Sequence, residues 1–143
     1  ISEMKNCIDV YEYHEENNMP FFDLIQTVPT SDKFEVKGVA ASALNISKDG
    51  KYILASTAGE NSVTLFEINQ EIGELTRLFC LPISGEYPKD AALFPDNRHL
   101  VSLNHESNTM TFFTVDYDKK CIIMNGKELP VKQPNCIIFH ELN

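Results

Sequence analysis

A chain of 143 residues that is 43% hydrophobic can bury a core of its own, and a formal charge of −9 with only 12 Lys and Arg excludes a surface built to grip a nucleic-acid backbone or an anionic membrane. The longest apolar runs, at 78–83 and 121–124, fall far short of the ~20 residues that a membrane-spanning helix needs, so no membrane partner is expected. Cys7, Cys80, Cys121 and Cys136 stand singly, with no Cys-x-x-Cys pair and no His at zinc spacing; they read as small buried hydrophobes in a reducing, cytoplasmic compartment, and neither metal nor cofactor is implied.

Taken in chain order, every predicted element is a short strand. Residues 6–13 open the series, and 43–46, 52–57, 62–69 and 75–82 follow as runs rich in β-branched, aromatic and leucine residues, separated by turn chemistry. Lys48-Asp49-Gly50-Lys51 predicts a tight reversal, because Gly accepts the positive φ such turns demand. The later turn Pro95-Asp96-Asn97-Arg98 places Asn, the next most tolerant residue, at the same point. Segment 62–68 alternates with period two: Val63, Leu65 and Glu67 take one face, and Thr64, Phe66 and Ile68 the other. Nothing longer than a turn reads as an amphipathic helix.

These elements repeat. Residues 47–68 lie over 94–115 at an offset of 47 with no gap, which sets Asp49 on Asp96, Asn61 on Asn108, Thr64 on Thr111 and Phe66 on Phe113. Residues 6–13 match 61–68 and supply the second half of an earlier unit. Residues 134–139 match 88–93 and begin a later one. Four strands in about 45 residues is the signature of a propeller blade, whereas an immunoglobulin-type sandwich does not repeat its own sequence at a fixed offset. The expected fold is therefore all-β, a partial β-propeller of about three consecutive four-stranded antiparallel blades. Residues 1–38 would end one blade, 39–84 and 85–131 would each form a complete one, and 132–143 would be a closing strand. Two full blades cannot close a ring. The chain also opens at Ile1 without a methionine, so the expectation is a longer parent, or copies that self-associate through their open blade faces.

Residues 40–56 and 61–68, with Gly73-Glu74-Leu75, Gly85-Glu86-Tyr87-Pro88-Lys89-Asp90 and Pro134-Asn135-Cys136-Ile137-Ile138-Phe139, resemble the C-terminal part of the bacterial lactonase family. That family comprises seven-bladed propellers and includes 6-phosphogluconolactonase and the fungal 3-carboxymuconate lactonizing enzyme. The resemblance implies that the chain covers the last three blades and that 134–139 is the strand closing the ring on the protein's own N-terminus. It also exposes departures. Family members carry an arginine in a Ser-Asn-Arg-Gly stretch where this chain reads Ser56-Thr57-Ala58-Gly59, and Pro-Arg-Asp where it reads Pro88-Lys89-Asp90, which keeps the charge and loses the bidentate fork. A histidine and a glutamate from earlier blades would lie before Ile1.

Blade geometry localises a site independently of the resemblance. The start of strand one, the end of strand two, the start of strand three and the end of strand four share one face, where loops converge on the central channel. That face would carry Gly85, Glu86, Lys89, Asp90, His105, Glu106, Asn135 and residues 58–60, while the Asp49 and Asp96 turns fall on the opposite face as structural elements. Lys89 reads either as a point charge for a substrate phosphate or as a solvated loop lysine. Asp90 and Asn135 are further substrate-binding candidates. His105 with Glu106 reads either as a general base that activates water or as exposed hydrogen-bonding groups. His14, His99 and His140 read as surface groups, and Asp116, Asp118 and Glu71 as solvated turn acids rather than a calcium site. No nucleophile elbow, zinc-protease helix or phosphate-cradling loop occurs. Two functions follow: a lactonase that hydrolyses a sugar-acid lactone, inactive as this fragment alone, or a non-catalytic ligand- or protein-binding propeller that has lost the arginine at Ala58.

Overall fold

The computed structural model describes residues 1–32 and 38–140; 33–37, within the first predicted segment, and 141–143, within the closing one, lie outside the described residues. Eleven strands appear among the described residues, and no helix. β1 (Cys7–Glu16) and β2 (Met19–Pro29) form a hairpin. β3 (Ala40–Ile46), β4 (Tyr52–Ala58), β5 (Ser62–Ile68) and β6 (Leu75–Pro82) form a four-stranded antiparallel meander. β7 (Pro88–Leu93), β8 (His99–Asn104), β9 (Thr109–Asp116) and β10 (Cys121–Met124) form a second, in which the short β11 (Leu129–Pro130) resumes pairing with β9. The two segments that match at an offset of 47 thus occupy separate sheets with the same strand order, as successive propeller blades require.

Period-two alternation makes this stacking possible, because each central strand is apolar on both sides. Leu54, Val63, Leu65 and Phe79 face the second meander and meet its Ala91, Leu93, Leu100, Phe113 and Val115. Ile53, Ala55, Phe66 and Leu75 face the other way and meet Ile8 of the hairpin. Leu54, Leu65, Phe66 and Leu100 are fully buried, each stabilising the stack by ~1.5–3 kcal/mol.

The turns follow the residue chemistry. Gly50 and Asn97 take φ of +72° and +54°, and each N–H closes its turn at 2.9 Å on Ser47 and Phe94 respectively. A second turn recurs three times: Asn6, Asn61 and Asn108 all hold positive φ, and their carbonyls accept from Thr30 N, Ile83 N and Val131 N at 2.8, 2.8 and 2.9 Å. That bond ties the end of strand four to the strand-two to strand-three turn in each blade.

The cysteines correct one expectation, and the closing segment is described only in part. Residues 134–140 join no ladder among the described residues; they run beside β7, where Ile137 N donates to Asp90 at 3.0 Å and Phe139 packs on Phe94 at 4.6 Å between ring centroids. A blade's first strand is held by its second, and no such neighbour lies among the described residues. Of the four free cysteines only Cys7 is buried, and Cys136, on this unpaired segment, is exposed. Burial pushes the Cys7 thiol up, as does the Asp9 carboxylate.

Candidate functional site on the channel face

The inter-blade loop 83–90 organises the candidate face. Gly85 (φ +111°) leaves no room for a side chain, since a Cβ there would overlap the Asn104 amide. Asn104 is fully buried; its Nδ2 donates to Ser84 O at 3.0 Å, Thr109 Oγ1 at 3.1 Å and Thr111 Oγ1 at 3.2 Å, and its Oδ1 accepts from Ser102 Oγ at 2.8 Å. The loop is thereby clamped onto the ends of β8 and β9. Tyr87 follows at φ +60°, its N–H donating to Asn61 Oδ1 at 2.8 Å and its carbonyl accepting from His105 N at 3.0 Å.

A cavity of about 300 Å³ opens between this loop and the start of β3, lined by Ile1, Glu3, Ala40, Ala41, Ser42, Tyr87 and Lys89. Lys89 Nζ sits 5.0 Å from the centroid of the Tyr87 ring. Glu3 brings a carboxylate that the sequence reading passed over. It lies three residues before Asn6, as Ala58 lies before Asn61 and His105 before Asn108, so these three residues share one station at the end of strand two. The pairings agree: Ser2 bridges Cys7, Thr57 pairs with Ser62, and Asn104 with Thr109. Extending the repeat three residues back from Asn6 was the signal that could have found it.

The predicted residues divide between several places. His105 is half-buried at the end of β8 and does not line the Lys89 cavity; its Nδ1 lies 3.3 Å from Pro134 O, across the Tyr87 loop. Glu106 is exposed, its N–H directed to Glu86 O at 3.3 Å and its own carbonyl accepting from Asn108 Nδ2 at 3.1 Å. Asp90 is 6% exposed and occupied by protein donors: Oδ1 accepts from Asn45 Nδ2 at 2.7 Å and from Ala91 N at 2.8 Å, and Oδ2 from Ile137 N at 3.0 Å. It joins β3, β7 and the 134–140 segment. Asn135 is exposed on that segment. Ala58, where the resemblance implies an arginine, is 1% exposed, and Gly59 beside it is packed against the Gly38 backbone. Glu60 is bound by Ser31 Oγ and by Ser62 Oγ, the latter at 3.2 Å. Among the described residues no three His, Cys, Asp or Glu side chains converge as a metal site would require, and Asp116 is bonded instead to the Lys119 backbone N–H at 2.9 Å and its ammonium at 3.2 Å.

Four-stranded antiparallel meanders packed face to face, joined by an inter-blade loop that walls a cavity, define a β-propeller arc. A family profile described as "Lactonase, 7-bladed beta-propeller" matches residues 1–139, and the chain belongs to that family. It is 25% identical over 139 residues to the 6-phosphogluconolactonase of Bacillus subtilis, covering 97% of this chain and 39% of that protein. A 6-phosphogluconolactonase of Formosa agariphila is 35% identical over 77 residues, covering 52% of this chain and 22% of the relative. The chain therefore spans about two fifths of the length of the first curated relatives it matches. Among solved structures, a Lactobacillus plantarum protein superposes with a TM-score of 0.82 at 23% identity, over 97% of this chain and 40% of that one. The periplasmic gluconolactonase of Pseudomonas aeruginosa does so at 0.80 and 23%, over 94% and 36%. These superpositions establish the fold.

Proposed function

We propose that the protein carrying this chain hydrolyses a sugar-acid lactone bearing an anionic group, of the 6-phosphogluconolactone kind, on the channel face. The observation that carries the reading is that Lys89 and Glu3 line one and the same cavity. In a chain of net charge −9, a half-buried ammonium beside a concave surface is a grip for a substrate anion. The Glu3 carboxylate is the general base: it takes a proton from water as the oxygen attacks the lactone carbonyl, and as the ring C–O bond opens it returns that proton to the departing ring oxygen, which becomes a hydroxyl. His105 is a second base candidate on the same face. With Nδ1–H donated to Pro134 O, its Nε2 keeps a lone pair for a proton. Glu106 orients from the rim, and Asn135 offers an amide to the sugar hydroxyls. Asp90 holds β7, which carries Lys89, to β3 and to the 134–140 segment, which carries Asn135, since its oxygens are already engaged.

Names of relatives support this reading: those of Bacillus subtilis and Formosa agariphila are 6-phosphogluconolactonases. Scattered cysteines favour the cytoplasm, although one similar structure is of a periplasmic gluconolactonase. The competing reading, a propeller that binds without catalysis, draws on Ala58, which brings no cation to the station an arginine would fill. Turnover of 6-phosphogluconolactone by the intact gene product separates the two. Glu3→Gln should lower kcat by about 10²- to 10⁴-fold, the usual contribution of a general base, with a smaller change in KM. Lys89→Ala should act mainly on KM. Unchanged turnover in Glu3→Gln with loss in His105→Ala would transfer the base role to His105, and no turnover by the unaltered protein would leave the binding module.

A further inference from the structure

We infer that Tyr87 is the positioning residue for the Lys89 ammonium, and so sets how well the site recognises an anionic lactone; the inference rests on the lactonase reading above. Tyr87 holds φ at +60°, in the left-handed region, immediately before Pro88, whose ring crowds the preceding residue. The scaffold imposes that conformation. Asn61 and His105 pin both peptide groups, and the next inter-blade connection repeats the arrangement: Gln133 holds φ +44° before Pro134, with its N–H on Asn108 Oδ1 at 3.1 Å. Glycine would take this conformation freely, so a bulky aromatic is the strained choice. Folding alone gives no reason for a ring at this point.

The surroundings do. The ring lies 5.0 Å from Lys89 Nζ, within cation–π range, and both side chains line the cavity that holds Glu3. Lysine is a point charge on a flexible four-carbon stem, and nothing in its own geometry fixes where the charge sits. The Tyr87 face confines it to the cavity wall before substrate arrives, so less ordering remains to be done on binding. The phenyl ring of Tyr87 and the ammonium of Lys89 thus act as one anion-binding unit, with a π face serving where a bidentate arginine would need none.

The test is steady-state hydrolysis of 6-phosphogluconolactone by the intact gene product, beside the thermal midpoint of each variant and binding of 6-phosphogluconate. Tyr87→Leu keeps bulk and removes the π face; KM should rise about 3- to 5-fold with kcat little changed, and Tyr87→Phe should restore most of the loss. Tyr87→Gly relieves the backbone, so its thermal midpoint should rise while KM also rises, a split that a purely structural tyrosine would not give. The inference is overturned if Tyr87→Leu leaves KM untouched while Lys89→Ala raises it, or if Tyr87→Gly lowers the thermal midpoint and KM follows stability alone. If Lys89→Ala changes neither KM nor 6-phosphogluconate binding, or if the unaltered protein neither turns over the lactone nor binds the product, the lactonase site itself fails and this inference with it.

Discussion

Asp96 closes the β7–β8 turn with both of its oxygens. Oδ1 accepts from Arg98 N at 2.8 Å and His99 N at 3.0 Å, while Oδ2 meets His99 Nδ1 at 2.6 Å. Burial pushes its pKa up, but the His99 side chain and the two backbone donors outweigh that and carry it from 3.8 down to about 2. A carboxylate whose pKa is lower folded than unfolded stabilises the fold above the unfolded value and loses that contribution as pH falls through the folded one. Stability should therefore drop between 3.8 and about 2, and Asp96→Asn should flatten that part of the curve, as read by circular dichroism melts across the acid range. Asp49, its repeat partner, is also held low, chiefly by the Ser47 hydroxyl, for which the later turn substitutes the His99 ring. The aspartates were legible because the turn needs a carboxylate in both copies. Tyr87 was not, because its left-handed backbone is dictated by Asn61, far along the chain, and a tyrosine advertises no such conformation.

At the scale of the element, identities between the repeats turn out to be blade-to-blade locks. Thr64 Oγ1 donates to Thr30 O at 2.6 Å and Thr111 Oγ1 to Ser84 O at 3.0 Å, both at the point where the chain leaves the preceding blade. Asn104 reinforces the second lock. Asn104→Ala would strand the buried Ser102 hydroxyl and remove a donor shared by Ser84 O, Thr109 and Thr111, and should cost about 1–3 kcal/mol, measured by chemical unfolding. Gly85→Ala should destabilise through the same side chain, because the added methyl would overlap it. Strand positions were readable from period-two alternation, whereas β3 begins at Ala40, three residues before its first predicted residue. The pairing of Ala40 and Ala41 with Ala58 and Thr57 extends the strand through residues of low β-propensity. The position of 134–139 beside β7 was likewise readable from its match to 88–93, but its ladder was not, since pairing depends on a neighbouring strand and not on the segment itself.

For the molecule as a whole, an arc of sheets has two uncovered ends. One is the hairpin face carrying Tyr11, Tyr13, Phe22 and Leu24, each more than half exposed, with the Tyr13 and Phe22 rings 5.5 Å apart. The other is the unpaired segment at 134–139, where Ile138 is 89% exposed. Apolar ends of this kind favour association, so the 143-residue chain alone should sediment as concentration-dependent oligomers. Tyr13→Lys with Phe22→Glu should shift it toward monomer, and a monomer at all concentrations without those changes would show the ends to be covered. Between them the stack is held by its two cores, and Phe66→Ala, at 0% exposure in the core shared with the hairpin, should cost about 3–5 kcal/mol. Stacking was the most legible property of all, because a gapless repeat with apolar residues on both strand faces admits few packings. The site was less so, since Lys89 and Tyr87 meet Glu3 only once an inter-blade loop is brought against the strand-two end of the preceding blades.

A crystal structure of the intact gene product with 6-phosphogluconate, the product of the proposed hydrolysis, tests the placement of the site most directly. An anionic group of the ligand should lie about 2.7–3.2 Å from Lys89 Nζ, inside the cavity walled by Tyr87 and Glu3. Ligand bound instead among the Asp49 and Asp96 turns, or anywhere that leaves Lys89 in solvent, would contradict that placement.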